Sequence, residues 1–562
     1  MIFIGGEGHL GSLFKYEGDS PEEKIVHAFL SLGVKAFEKL EHDFLLVLQT
    51  KDCTYLVRDR FGVQSLYFKV FQSKLLYSSF LRDLYQGESI DVSSVEEYIR
   101  FSTTSEQQGD SRTYFKGIYQ VPPSCYLCFK KDSSFYLSVY WRPKFCAFDV
   151  RTVTEEFKSS FFDSVKGAVE GYEQVGCQLS GGLDSSIVAL AYYRLSNRSF
   201  PTFYVDTGNR LQRDSYYALL VSNTISSDHS YVIPDLSSVY DSIRRVSRET
   251  GSPVMMILPP NFHESVAQAG NSAGIRGILT GIDGDSVVGH GYNYIRRLRK
   301  DREWEVLLEE YLNYRKKEEG LTVREIQNSI IESELNSLLK SREFREAVRL
   351  LRVVYNKWGY VPYSYIKHLI GVIVRRLNRK EDQAELWIER DYRKDILSNE
   401  LYEFTDEEFK ANFLAVVNAE YPRFFEELKV IGKRYNIDFL HPFFDQKVFE
   451  VALSVPDSVR FGHGMTRWLL RESMRDIYPK EILERQDKDE FSPFAYNSCL
   501  MLWTSHREFF EYHPTLWTYI DKATFLKCIS NLASLDEYDP STRVLSRRLN
   551  RVLYLGIWLD TI

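Results

Sequence analysis

Gln178-Leu-Ser-Gly-Gly-Leu-Asp-Ser-Ser186 is the stretch on which the reading of this chain turns. It follows a short run ending Val175-Gly-Cys177 and precedes the apolar, helix-like segment Ile187-Val-Ala-Leu-Ala-Tyr192. The order is therefore strand, small-residue loop, helix. Gly181 and Gly182 let the backbone turn tightly and bring N–H groups to a polyanion, while the helix N-terminus adds partial positive charge. Ser180, Ser185 and Ser186 supply further donors. Asp184 would repel a bare phosphate, but it suits a divalent cation that bridges to phosphates. No lysine closes the loop, so it is not of the G-x-x-x-x-G-K-[ST] kind. The expectation from these residues is a phosphate-binding site with a divalent cation.

Around that loop the chain divides in two. Residues 1 to about 145 are strand-rich, with β-prone runs at Phe44–Gln49, Cys53–Val57, Leu66–Val70 and Leu75–Ser79 separated by turns. From about 152 strands alternate with helices, as in a parallel α/β sheet, with strands expected at Phe200–Asp206, Ser230–Ile233 and Gly277–Gly281. Beyond about 296 the chain becomes helical and heavily charged. Thr322-Val-Arg-Glu325 forms a capping-box pattern. The plain reading of this charged arm, about 296–350, is a solvated helical surface; the functional one is a lid or docking arm.

Composition excludes several classes. The 562 residues suffice for two to four domains. A net charge of −7 without a sustained basic run argues against nucleic acid as a partner. No apolar run is long enough to span a membrane, and Met1-Ile-Phe-Ile-Gly-Gly has no basic region to begin a secretory signal. The seven cysteines are odd in number, and the one close pair, Cys125-x-x-Cys128, lies in a strand-like run without a second pair. A reduced, cytoplasmic protein is expected.

Several segments in order resemble the asparagine synthetase family. Arg58-Asp-Arg-Phe-Gly-Val-Gln-Ser-Leu-Tyr67 is similar to A-R-D-R-F-G-x-K-P-L-Y, and Tyr114–Pro123 with Tyr140-Trp141 resembles later landmarks. Ser180–Ser186 resembles the pyrophosphate loop S-G-G-x-D-S of enzymes that split ATP to AMP and pyrophosphate. Leu279-Thr-Gly-Ile-Asp-Gly-Asp285 is similar to L-T-G-E-G-A-D. Phe439–Asp445, Gly464-Met-Thr-Arg-Trp-Leu-Leu-Arg471 and Arg485-Gln-Asp-Lys488 with Phe491 resemble C-terminal landmarks.

The resemblance implies an α/β protein. An α+β N-terminal domain at 1–148, a degenerate Ntn-type glutaminase-like sandwich, would precede a parallel α/β synthetase domain at 152–562 of the adenine-nucleotide α-hydrolase kind, helical toward its C-terminus. It further implies that Leu179, Ser180, Gly181, Gly182, Leu183, Asp184, Ser185, Ser186, Val205, Thr280 and Gly281 bind ATP. Asp184 and Asp285 would hold magnesium on solvent-facing loops, and Lys488 would stabilise a tetrahedral oxyanion.

Two departures shape the functional expectation. The family's N-terminal nucleophile is a cysteine at position 2, where this chain has Ile2; the segments that hold glutamine are also missing from residues 1–50. The glutamate of L-T-G-E-G-A-D, which handles the proton of incoming ammonia, is Ile282 here. Asp283 is a candidate base. The β-lactam synthetase branch carries tyrosine at that position. The expected activity is AMP-forming amide ligation of a carboxylate to an organic amine, of the kind performed by peptide macrolactam (lasso-type) cyclases. A precursor peptide and its processing protease are expected partners; asparagine synthesis from free ammonia, or a nucleotide-binding pseudoenzyme, are the alternatives.

Overall fold

The computed structural model describes residues 2–8, 20–100, 111–144, 149–208, 213–315, 321–361, 420–462, 464–485 and 491–562. In the N-terminal part β1 (Ile2–Gly8), β2 (Phe44–Gln49), β3 (Cys53–Arg58), β4 (Tyr67–Phe71), β5 (Lys74–Ser78), β6 (Tyr119–Gln120), β7 (Cys125–Lys130) and β8 (Phe135–Val139) form two antiparallel sheets. Their orders are β1-β2-β3-β7-β8 and β5-β4-β6. Phe68 on β4 meets Phe135 on β8 edge-on at 5.8 Å and ties the sheets together. On the larger sheet Phe37, Tyr55 and Tyr126 form an aromatic layer with centroids 5.5–6.0 Å apart from Phe37. The helix Pro21–Leu32 begins where it does because the Ser20 hydroxyl accepts the Glu23 N–H at 3.3 Å and proline fills the first turn.

The second part holds a fully parallel sheet of β9 (Val175–Gln178), β10 (Pro201–Val205), β11 (Asp228–Val232), β12 (Gly277–Leu279) and β13 (Asp438–Leu440). Its order is β11-β10-β9-β12-β13. The chain leaves β9 toward β10 on one side and fills the other side with β12, so strand order reverses at β9. Open α/β sheets bind ligands in the crevice at the carboxyl ends of such a pair. The loop after β9 is 179–182, and the loop after β12 begins at Thr280. The strands expected at 200, 230 and 277 are thus present; the first and third are each shorter by two residues, and the second starts two residues earlier, at Asp228, and ends one earlier, at Val232.

The charged arm is more than a solvated face. Helices Tyr292–Lys300, Trp304–Arg315, Val323–Lys340 and Phe344–Trp358 enclose a core of their own that includes Ile295, Trp304, Leu307, Ile331, Leu350 and Val354. The dense charge decorates the outer faces of amphipathic helices, which the spacing of these apolar residues dictates. The Thr322 capping box forms, with the Thr322 N–H donating to the Glu325 carboxylate at 2.8 Å.

One hydrophobic core runs through both sheet-bearing parts. Phe61 packs edge-on against Phe444 at 5.9 Å and Phe449 at 5.5 Å. The Tyr67 hydroxyl donates to Glu426 at 2.6 Å, and that of Tyr98 to the Val254 carbonyl at 2.8 Å. The long C-terminal helix Pro540–Leu559 closes the seam, with Trp558 5.2 Å from Tyr114. Among the described residues no helix is long and apolar enough to cross a membrane.

Candidate functional site

The loop after β9 is held in shape by its own hydroxyls. The Ser180 and Ser185 hydroxyls lie 3.0 Å apart, the Ser180 N–H donates to Ser185 Oγ at 3.1 Å, and the Gly182 N–H reaches Ser180 Oγ at 3.4 Å. The helix Leu183–Ser196 then starts without a side-chain cap, so its first N–H groups are not taken by a capping side chain. Gly181 needs to be glycine. Its φ is +74°, and a Cβ there would come within 2.4 Å of the Asp214 carbonyl.

Behind the loop Arg485 donates to the Gly181 carbonyl at 2.8 Å, pairs with the buried Asp214 carboxylate and lies 4.0 Å over the Tyr217 ring. Tyr478 donates to the Leu183 carbonyl at 2.8 Å. Arg471 anchors the segment that carries Arg485 by donating to the carbonyls of Thr466, Leu483 and Arg485. Burial, and the neighbouring charge of Arg467, push the Arg471 guanidinium down to about 10.

The loop after β12 meets the first one backbone to backbone. A Cβ on Gly281 would come within 2.3 Å of the Ser185 nitrogen, and one on Gly284 within 2.9 Å of the Asp184 Cβ. Two positions without side chains therefore let Asp184 and the loop of Asp285 approach. Asp283 has a left-handed backbone, φ 52°, and opens the short helix Gly284–Val288. Asp285 accepts the Ser286 N–H at 3.0 Å and faces His290 at 3.1 Å.

Asp184 differs from its expected setting. It is only 7% exposed, not on a solvent-facing loop, because the helix start turns it inward. Arg467 donates to its Oδ2 at 2.6 Å, while Oδ1 is buried with no hydrogen-bond partner. Burial opposes the Arg467 charge, but the carboxylates of Asp184 and Asp285 outweigh it and hold the guanidinium above the usual arginine range. The cation is paired with Asp184 and feels the charge of Asp285, and its residue has a non-glycine φ of 56°. Sequence reasoning quoted its segment, Gly464–Arg471, but gave the arginine no role; no local spacing links residues 184 and 467.

Leu179 and Val205 are buried at the ends of β9 and β10, beside the crevice. Thr280 is bound to the Leu440 carbonyl through its N–H at 2.9 Å, and its hydroxyl lies 2.8 Å from His441 Nδ1. Ile282 packs against the core. Lys488 lies outside the described residues. The expected positions 179–186, 205, 280–281, 283 and 285 therefore lie at or just beyond the carboxyl ends of the neighbouring strands β9, β10 and β12. Among the described residues no group of three or more His, Cys, Asp or Glu side chains could hold a metal.

The helical module abuts this crevice. Phe461 belongs to its core, and a Cβ on Gly464 would strike the Asn313 backbone at 2.4 Å. His290 stacks on Tyr292 at 5.0 Å where the module begins.

The Asparagine synthase family profile matches residues 156–560, and that of the Glutamine amidotransferase domain matches 9–141. The chain belongs to the asparagine synthase family. Among its curated relatives, "Amidase chry2" of Gibberella zeae is 29% identical over 191 residues, 33% of this chain and 28% of that protein. "Amidase chyE" of Penicillium rubens is 28% identical over 188 residues, 32% of this chain and 27% of that protein. The chain thus spans less than a third of the length of these two relatives. "Asparagine synthetase (glutamine-hydrolyzing) 1" of Bacillus subtilis is 22% identical over 503 residues, 84% of this chain and 71% of that protein. Among solved structures, the B. subtilis glutamine phosphoribosylpyrophosphate amidotransferase overlaps 33% of this chain and 39% of its own, at a TM-score of 0.15 and 10% identity, too little to argue from.

Proposed function

We propose that this protein is an ATP-dependent, AMP- and pyrophosphate-forming amide ligase that adenylates a carboxylate and couples it to an organic amine, closing a macrolactam within a peptide. The observation that carries the reading is the meeting of the two loops at the sheet's switch point, with Asp184 paired to Arg467 and the loop that bears Asp285 packed against Asp184. In the first step a carboxylate oxygen bonds to the α-phosphorus of ATP and the bond to the β-phosphate breaks. The Ser180–Ser186 loop and the uncapped helix start receive the phosphates, and Arg467 supplies the cation that the loop lacks. The buried, unpartnered Oδ1 of Asp184 beside a second carboxylate fits magnesium, which Asp184 and Asp285 would hold and which when bound would offset charge on the pyrophosphate. Leu179, Val205, Thr280 and Gly281 frame the nucleoside.

In the second step the amine nitrogen bonds to the acyl carbon, the bond to AMP breaks and a proton leaves the nitrogen. Lys488 stabilises the oxyanion by the family resemblance. The glutaminase half is inactive in this reading, because residues 1–11 contain no Cys, Ser or Thr. The helical module beside Arg467 suits a substrate larger than an amino acid. The long match to a Bacillus asparagine synthetase favours a second reading, ammonia-dependent asparagine synthesis.

The test is mass spectrometry of the full chain incubated with ATP, magnesium and a peptide carrying a free N-terminal amine and one Asp side chain. The proposal expects AMP, pyrophosphate and a product lighter by one water. Product from aspartate and ammonium alone would establish the second reading, and no AMP with either substrate would overturn both.

A further inference from the structure

Resting on that reading, we infer that His441 is a positioning residue that receives the proton of the attacking amine through the Thr280 hydroxyl and passes it to a cavity at the domain junction. The need arises at Ile282, which can neither accept nor donate a proton. Thr280 lies two residues before it, at the carboxyl end of β12. The Thr280 hydroxyl lies 2.8 Å from His441 Nδ1, at the end of the neighbouring strand β13, and 3.2 Å from the Leu440 carbonyl, which competes for its proton.

The imidazole has two distinct faces. One nitrogen meets Thr280. The ring also lines a cavity of about 180 Å³ that reaches Asp43, Gln64, Tyr172 and Asp445. Phe425 at 4.8 Å and Phe444 pack against the ring and fix its plane. The charged and titratable groups around it are Asp43, which opposes its loss of basicity, His263 on the helix Asn261–Ser272, and His42, Asp445 and Tyr172 around the cavity. Burial holds His441 down at about 4, so the ring rests neutral and lets go of a proton readily. That suits a relay rather than a store. Once the C–N bond forms, the nitrogen's proton is more acidic than that of the free ammonium, and the relay takes it up in concert with loss of the Nε2 proton. The nitrogen's proton passes to Thr280 Oγ1, the Thr280 proton to His441 Nδ1, and the proton on Nε2 to the cavity, so no charge is left behind.

This direction of transfer fixes the resting tautomer: Nδ1 bare and accepting from Thr280, with the proton on Nε2. The first readout needs no substrate. Long-range nitrogen–proton NMR of the full chain labelled at histidine, with His441 assigned by the His441→Gln variant, should show a bare Nδ1 at pH 7. A proton on Nδ1 would overturn the inference. The second readout compares His441→Gln with wild type, using the Asp peptide above. Exchange of pyrophosphate into ATP should persist, whereas amide formation should fall by about a hundredfold at pH 7 and recover partly with added imidazole. Unchanged amide formation, loss of exchange as well, or a larger defect in Asp283→Asn than in His441→Gln would each overturn it. Absence of exchange in wild type would sink the proposed function, while the tautomer still decides the relay.

Discussion

Arg485→Met tests the scaffold of the loop after β9. In the wild type the guanidinium and the Asp214 carboxylate are 2% and 3% exposed at their side chains, and Arg485 also bonds the Gly181 carbonyl at 2.8 Å. Methionine keeps the apolar stem but leaves the Asp214 carboxylate buried without its guanidinium. Breaking a buried ion pair on one side costs about 3–5 kcal/mol, a large share of the roughly 5–15 kcal/mol that holds a typical domain folded. The variant should therefore fold with a lowered urea midpoint. Adding Asp214→Leu should recover most of the loss, because two apolar side chains leave no unpaired charge. Urea unfolding of the wild type, both single variants and the double variant measures this. A cost below about 1 kcal/mol for Arg485→Met, or a double variant no better than the single, would refute the reasoning.

Further predictions follow from the seam and the loops. Glu427 accepts the Met256 N–H at 3.1 Å and that of Met255; burial raises its carboxyl to about 8, against the opposing pull of those two N–H groups. The unfolded chain loses this proton near 4.5 while the folded chain keeps it, so stability should fall as pH rises from 4.5 to about 8. Glu427→Gln should flatten that slope in chemical denaturation run across pH; an unchanged slope would contradict the assignment. Gly281→Ala would place a Cβ 2.3 Å from the Ser185 nitrogen. It should cut pyrophosphate exchange by roughly a hundredfold with little change in far-UV circular dichroism, and a fully active variant would show that the two loops need not touch. Glutamate release from glutamine should not exceed an enzyme-free control.

The crevice was legible in sequence because its parts are local. Gln178–Ser186 spells strand, loop and helix within a few residues, and Leu279–Asp285 does the same, so both loops and most of their strands could be placed. Arg467 and His441 were not legible. Their partners, Asp184 and Thr280, are 283 and 161 residues away in the chain; the pairing of β12 with β13 brings His441 to Thr280, and the packing of the helix Trp468–Ser473 brings Arg467 to Asp184. Asp184 misled in another way: a carboxylate after two glycines reads as exposed, whereas the helix start turns it inward against Arg467. The charged arm misled because composition reports the outside of a helical bundle more strongly than its core.

The central claim, that Asp184 and Asp285 act together at the ATP phosphates, is tested most directly by peptide-dependent exchange of labelled pyrophosphate into ATP. Asp184→Asn and Asp285→Asn keep each side chain's shape and remove its charge. The account predicts that each loses roughly a thousandfold or more of the exchange rate, and that the double variant is little worse than either single, because the pair works as one site. Exchange near the wild-type rate in Asp285→Asn would contradict the account.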